Sequence, residues 1–213
     1  IKPDMDVYKY ERSELEAYIP DEVYGEDKYK LAVINKIING MPRKFALDRG
    51  RGKTYGAILT TSSIKDAKDY YRLFRQVIEG RSEVKVSDRV KSMVADFPKV
   101  AMTYSIVEND ERTIENNEAM KEAMAYYNDE YGMSFSLETI GSYNRNLNER
   151  LARKKDKYKS RTEQVDIVIV VDRLLTGFDS PSMSLLLIDR APMTPQGLIQ
   201  AFSRTNRLYD DRK

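Results

Sequence analysis

The run Val165–Val171 constrains the fold most, because it is an almost unbroken series of β-branched apolar residues (VDIVIVV). A strand of this kind is covered on both faces, as the inner strands of parallel sheets are. Runs at Thr54–Thr61, Lys99–Tyr104 and Ser184–Asp189 predict three further strands. Helical patterns separate the strands, so the sequence predicts an α/β layered domain with a mostly parallel central sheet.

Apolar residues at helical spacing predict the helices of this domain. One spans Asp27 to Asn39, and a second covers residues 64–78, with Ser62 or Ser63 as its N-cap. Helices are also expected near Glu115–Tyr131, Asn144–Lys159 and Pro195–Leu208. We expect residues 1–25 to be a linker or N-terminal segment, and residues 26–213 to be one domain with a basic, helical insert at about 105–163.

Composition excludes several classes of site. The chain has no cysteine and no histidine, which rules out disulfides, thiolate or histidine zinc sites, and Ser-His-Asp triads. A net charge of +2 gives no argument for nucleic acid from bulk charge, so any DNA contact must come from local patches. No apolar run is long enough for a membrane span, and the start at Ile1 suggests a fragment of a longer protein.

The segment Gln200–Arg207 (QAFSRTNR) carries the clearest functional pattern. On a helix, Gln200, Arg204 and Arg207 fall on one stripe, while Leu198, Ile199 and Phe202 fall on the opposite side. One face can then pack on a sheet while two guanidiniums point outward, and guanidinium binds phosphate as a planar fork. Arginines on a helix are also common on plain solvated faces, so the pattern needs a second element beside it.

The loop Thr176–Pro181 (TGFDSP) supplies that second element, since it follows the strongest strand of the chain. Loops at the carboxyl ends of parallel strands are where α/β folds bind ligands. Gly177 would let the backbone approach a ligand closely, and Asp179 could accept hydrogen bonds from a ribose or an arginine. The same residue types also form ordinary tight turns.

Two other segments are candidates for phosphate contacts. Ser62 and Ser63 stand where a strand meets a helix, so their hydroxyls could hold a DNA phosphate, serve as an N-cap, or do both. A basic stretch within 145–161 includes Arg153, Lys154 and Lys155, which could bind DNA or form a solvated helix face. The sequence Arg51-Gly-Lys-Thr54 only imitates a phosphate-binding P-loop, because Leu47 replaces the first glycine and the segment leads into a strand.

Together these residues resemble the second RecA-like domain of superfamily 2 helicases and translocases. Thr176–Asp179 looks like motif V, and Gln200–Arg207 looks like motif VI, with Ser203 in place of the usual glycine. The wording of Ile169–Asp179 and Leu198–Arg207 is similar to the motor (restriction, R) subunit of type I restriction-modification enzymes, and Ala57–Ile64 resembles its motif IV region. The resemblance implies a RecA-like three-layer domain.

By this resemblance, the parent chain would be a cytoplasmic, ATP-dependent translocase and endonuclease acting on double-stranded DNA, with methylase and specificity subunits as partners. Arg207 would be an arginine finger, Arg204 would contact phosphate, and Gln200, Gly177 and Asp179 would border the ATP. Thr176, Ser62 and Ser63 would face DNA. ATP and Mg²⁺ would be bound mainly by a first RecA-like domain, and nuclease residues would lie in a further domain.

The P-loop and the acidic Mg²⁺ box do not occur in this sequence, so we expect no complete active site and no ATP hydrolysis by the fragment alone. Two alternatives remain at this stage. The chain could be the second lobe of another superfamily 2 DNA or RNA helicase, or a nucleic-acid-binding module without an ATPase role. An arginine finger should not tolerate lysine, whereas a simple binding surface should.

Overall fold

A computed structural model describes residues 26–50, 54–104, 113–171 and 182–189. Its sheet has four strands, all parallel, in the order β2-β3-β1-β4. The strands are β1 (Gly56–Thr61), β2 (Val100–Thr103), β3 (Ile167–Val171) and β4 (Met183–Asp189). All four predicted strands are therefore confirmed, with ends moved by one or two residues, and the α/β fold is consistent with a RecA-like domain.

Five helices accompany the sheet in the described ranges. They are α1 (Asp27–Gly40), α2 (Ile64–Ile78), α3 (Asp88–Met93), α4 (Thr113–Tyr131) and α5 (Ile140–Ala152). α2 packs on β1, β2 and β3, with α1 and α4 beside it. The expected helix over Pro195–Leu208 and the segment 1–25 lie outside the described residues.

The predicted helix Asn144–Lys159 is wrong in both of its ends. α5 begins at Ile140 and ends at Ala152, because Arg153 adopts a left-handed backbone with φ 53°. The chain then continues through two 3-10 turns, Asp156–Lys159 and Arg161–Glu163. The run of lysines and arginines looks helical in sequence, but a non-glycine residue at positive φ stops the helix.

The central strands are covered on both faces, as the β-branched run predicts. The side chains of β1 are all buried, and those of Ile167, Val168, Ile169 and Val170 in β3 have no exposed surface. α5 is joined to β2 by polar bonds at the sheet edge. The Tyr143 hydroxyl donates to the Met102 carbonyl at 2.8 Å, and the Thr103 hydroxyl donates to Asn144 Oδ1 at 2.6 Å.

A buried polar network closes the amino-terminal edge of the sheet. The fully buried Asp166 accepts from both terminal nitrogens of Arg161, at 2.6 and 2.8 Å, and from the backbone N–H of Lys99 at 2.8 Å. The Thr54 hydroxyl also donates to this carboxylate. Arg161 reaches on to Asp96 at 2.7 Å, so one ion-pair network ties the turn before β3 to the loop before β2.

Candidate functional site

Three strands end in one row at the carboxyl edge of the sheet. Thr61 at the end of β1 is in register with Val171 of β3 on one side and with Asp189 of β4 on the other. Residue 172 follows β3 directly and residue 190 follows β4 directly. The strands β3 and β4, which precede the Thr176–Pro181 and Gln200–Arg207 patterns in the chain, therefore both end at the same edge of the sheet, at the level where β1 turns into α2.

Six of the predicted site residues lie in those two segments, outside the described residues. They are Thr176, Gly177, Asp179, Gln200, Arg204 and Arg207. The structure describes the strands from which these residues continue but not the residues themselves, so their roles stay predictions.

Ser62 and Ser63 occupy the turn between β1 and α2. The Ser63 hydroxyl accepts from the Asp66 backbone N–H at 3.1 Å, so this residue is the N-cap of α2. The hydroxyls of Ser62 and Ser63 also donate to Asp66 Oδ2, at 3.1 and 2.6 Å. Ser62 is exposed and Ser63 partly so. A phosphate at this turn would therefore meet two hydroxyls that already share one carboxylate.

A buried lysine lies against the Asp66 carboxylate and neutralises its charge. Lys30 of α1 has no exposed surface, and its ammonium lies 2.8 Å from Asp66 Oδ1 and 3.1 Å from Asp69 Oδ2. Burial alone would lower the pKa of Lys30 and raise those of the two carboxyls, but the hydrogen bonds and opposite charges outweigh it. The net result is a raised pKa for Lys30 and lowered pKa values for Asp66 and Asp69.

The end of β4 is held by two tyrosines. Asp189 accepts from the Tyr29 hydroxyl at 3.0 Å and from the Tyr70 hydroxyl at 2.6 Å. Burial first, and then the hydrogen bond to Asp189 and the charge of Asp189, raise the pKa of Tyr70, so its hydroxyl remains a protonated donor. Helices α1 and α2 thus fix the last residue before the segment that carries Gln200, Arg204 and Arg207.

Sequence reasoning did not find this group of charges and hydroxyls. One signal was present: Lys30, Ile34, Ile37 and Ile38 share one stripe of α1, and all four are buried. A lysine on an apolar stripe requires buried partners, because an unpaired ammonium in the core is costly. Nothing in the sequence pointed to the carboxylates that it would meet.

The pH dependence of stability should report this ion cluster. The contribution of the lowered pKa values of Asp66 and Asp69 is fully present above their unfolded values near 3.8 and is lost as pH falls through the folded values. Lys30→Met removes the ammonium, so we expect about 1–3 kcal/mol lower free energy of unfolding at pH 7. The difference from the wild type should become smaller as pH falls below 3.8, because acid removes the same contribution from the wild type. Urea unfolding from pH 3 to 7 measures both effects.

Lys65→Met is the matched control for this prediction. Lys65 also contacts Asp69, at 3.4 Å, but its side chain is 72% exposed. We expect its loss to leave the free energy of unfolding at pH 7, and the decrease of that free energy in acid, almost unchanged, since solvent replaces an exposed ammonium. If both variants change the free energy of unfolding by the same amount, the burial of Lys30 does not increase its contribution to stability.

The structure buries one part of the predicted basic DNA-binding stretch and leaves another part exposed. Arg153 is buried, and its guanidinium donates to the carbonyls of Thr54 and Val165, the latter at 3.2 Å. We therefore remove Arg153 from the surface that could meet DNA. Lys154 and Lys155 are exposed, and Lys155 pairs with Glu149 at 2.8 Å. The available basic surface is smaller than the sequence suggests.

Neighbouring arginines of the same stretch are also structural. Arg150 has no exposed surface, stacks over the Tyr131 ring at 3.9 Å and pairs with Glu163 at 2.6 Å. Arg161 belongs to the Asp166 network. Arginine is suited to such places because its planar group binds carboxylates and aromatic faces at once.

Within the described ranges, no group of three or more Asp, Glu, His or Cys side chains could hold a metal ion. None of the helices in this part of the chain is both long and apolar enough to cross a membrane.

Comparison with known proteins identifies the family. The model of type I restriction enzyme subunit R domain 3 (T1R_D3-like) matches residues 53–213. The chain is 28% identical over 206 residues to the Type I restriction enzyme SauCOLORF180P endonuclease subunit of Staphylococcus aureus (strain COL). The matched region covers 95% of this chain and 20% of that protein.

A second relative is the Type I restriction enzyme SsaAORF53P endonuclease subunit of Staphylococcus saprophyticus, 30% identical over 200 residues, or 91% of this chain and 19% of that protein. A shorter match, 44% identical over 52 residues, is to the putative type I restriction enzyme MjaVIIP endonuclease subunit of Methanocaldococcus jannaschii, and it covers 24% of this chain and 5% of that protein. The chain thus spans about a fifth of the length of its long-matching relatives. Because the family model covers the sheet from β1 to β4 and the segments after it, the chain belongs to the domain 3-like family of type I restriction enzyme subunit R.

Proposed function

We propose that this chain is the part of a type I restriction R subunit that forms the second RecA-like lobe of an ATP-driven DNA translocase. It would supply an arginine finger and part of the DNA track to a longer endonuclease subunit. The relatives are named as type I restriction enzyme endonuclease subunits, which supports a restriction R subunit over another helicase. Double-stranded DNA, a methylase subunit and a specificity subunit are the proposed partners.

The observation that carries this proposal is the common row formed by the ends of β1, β3 and β4. In open α/β sheets, ligands bind beyond the carboxyl ends of the strands. The parts of the chain that continue from β3 and β4, residues 172–181 and 190–213, contain the Thr176–Pro181 and Gln200–Arg207 patterns. An edge of this kind suits a lobe that closes over a nucleotide held by another domain.

Each predicted residue has a role in this proposal. Arg207 would reach the γ-phosphate of an ATP bound mainly by a first RecA-like domain, where Mg²⁺ would neutralise phosphate charge. Arg204 contacts phosphate, and Gln200, Gly177 and Asp179 border the nucleotide. The remaining proposed residues face DNA: Thr176, Ser62 and Ser63 from the sheet edge, and Lys154 and Lys155 from the turn after α5.

The test is DNA-stimulated ATP turnover by the full-length subunit assembled with its partner subunits. Arg204→Lys keeps the charge but loses the planar fork, so we expect turnover to fall about 10–100-fold, as for loss of a charged hydrogen bond. Arg81→Lys is the control, since Arg81 pairs with Glu79 beyond the far end of α2. Normal turnover in Arg204→Lys would favour a simple binding surface.

A further inference from the structure

An open hollow of about 500 Å³ lies at the amino-terminal end of the sheet, away from the proposed nucleotide edge. The end of α1, the loop after it, α3 and the start of β4 form its walls. Leu185 lines the hollow from the start of β4, whereas Asp189 at the other end of that strand belongs to the nucleotide edge. The hollow is therefore a separate surface.

Four exposed cations surround this hollow, and no carboxylate lines it. They are Lys36, Arg43, Lys44 and Arg89. Only Arg43 has a carboxylate among the described residues within ion-pair distance, Asp48 at 3.8 Å. Other cations of the described residues do have close carboxylate partners, as Lys99 has in Glu130 at 2.6 Å. Like charges held together repel one another, so the group of four cations with a single carboxylate nearby favours an acidic partner.

The walls of the hollow are tied to one another by hydrogen bonds. Asn39 at the end of α1 accepts from the Ser87 backbone N–H at 3.0 Å and donates to the Lys85 carbonyl at 2.9 Å, which fixes the start of α3. Ser184 of β4 donates to the Lys44 carbonyl at 2.8 Å. These bonds hold the backbone beneath the cations in place, so a partner would meet a largely preformed surface.

The floor of the hollow is apolar, and this decides which acidic partner fits. Met41, Pro42 and Leu185 form the floor between the cations. A sugar–phosphate backbone could satisfy the cations but has no side chain to fill an apolar floor. A protein segment with carboxylates on either side of a large apolar residue satisfies both parts.

We propose that an acidic segment from elsewhere in the same full-length R subunit docks in this hollow. Its apolar side chain packs on Met41, Pro42 and Leu185, and its carboxylates pair with Lys36, Lys44 and Arg89. This inference rests on the proposed function only in taking the chain as one part of a longer subunit. It adds a contact that joins this lobe to another part of the molecule.

Zero-length crosslinking tests the proposal. The full-length subunit is treated with a carbodiimide, which joins a lysine amine directly to a carboxylate, and the products are identified by mass spectrometry. We expect Lys36 or Lys44 to be joined to an Asp or Glu outside residues 26–189, within a few positions of a large apolar residue. Arg89→Glu should lower this yield about tenfold, equivalent to ~1.4 kcal/mol.

Arg145→Glu is the control, because Arg145 is an exposed arginine on α5 away from the hollow, and its reversal should leave the yield unchanged. No crosslink, or crosslinks only to carboxylates within 26–189, would overturn the proposal. A crosslink to a methylase or specificity subunit would overturn the same-chain source. Protection of both lysines from acetylation by a short DNA duplex, without a crosslink, would point to phosphate instead. All of these outcomes are measured without ATP turnover. A failure of the proposed translocase function, which is tested by turnover, is therefore distinguishable from a failure of the docking proposal.

Discussion

Arg207→Lys should lower the DNA-stimulated ATP turnover of the full-length subunit, assembled with its partners, by about 10³-fold or more. Lysine keeps the positive charge, but it places a single ammonium where a guanidinium would meet two phosphate oxygens. A finger supplied by a second lobe stabilises charge that develops only in the transition state. The loss should therefore appear in kcat, with little change in KM for ATP.

DNA binding must be measured beside turnover, because a surface contact and a finger differ there. We expect Arg207→Lys to bind a DNA duplex as tightly as the wild type in fluorescence anisotropy. Arg81→Lys serves again as the remote control, since it preserves charge at a residue paired with Glu79. Turnover near the wild-type level in Arg207→Lys would contradict the finger and support a binding module without an ATPase role.

The second large effect is expected on stability, from Asp166→Ala. This carboxylate is fully buried and accepts from Arg161 and from the backbone N–H of Lys99. Its removal takes one of two carboxylates from the largely buried Arg161 guanidinium, which keeps Asp96, and leaves the Lys99 backbone donor without its acceptor. Breaking a buried pair on one side costs about 3–5 kcal/mol. We expect the urea midpoint of this chain to fall accordingly, with circular dichroism as the measurement.

Asp156→Asn is the matched control for the loss of one carboxylate. Asp156 pairs with Lys159 at 2.7 Å, but its side chain is 94% exposed. We expect no measurable change in its midpoint, because exposed pairs contribute little. If Asp166→Ala unfolds at the same urea concentration as Asp156→Asn, the Asp166 network does not support the amino edge of the sheet.

The sequence predicted the strands well because their signal is local. A strand that is buried on both faces is a continuous run of apolar, often β-branched residues. Ile167–Val171 is such a run, so its own residues are enough to predict it. The end of α5 was predicted poorly because its cause is not local. Arg153 takes a left-handed backbone while its guanidinium binds carbonyls of Thr54 and Val165, and neither partner can be read from the residues around it.

The candidate site shows the same division. The position of Ser62 and Ser63 at the start of α2 follows from a strand ending and an N-cap beginning, and both are local patterns. The link from Asp66 to Lys30 crosses 36 residues, and the link from Tyr70 to Asp189 crosses 119. Contacts of that range depend on which helices and strands become neighbours, and periodicity does not determine this.

The two tyrosine hydroxyls on Asp189 have a mechanical consequence. If the chain forms a lobe of the proposed translocase, it must carry load while DNA is pulled. Here the end of β4 is joined to α1 through Tyr29 and to α2 through Tyr70. Under that proposal, tension at the last residue of β4 would be shared by two helices.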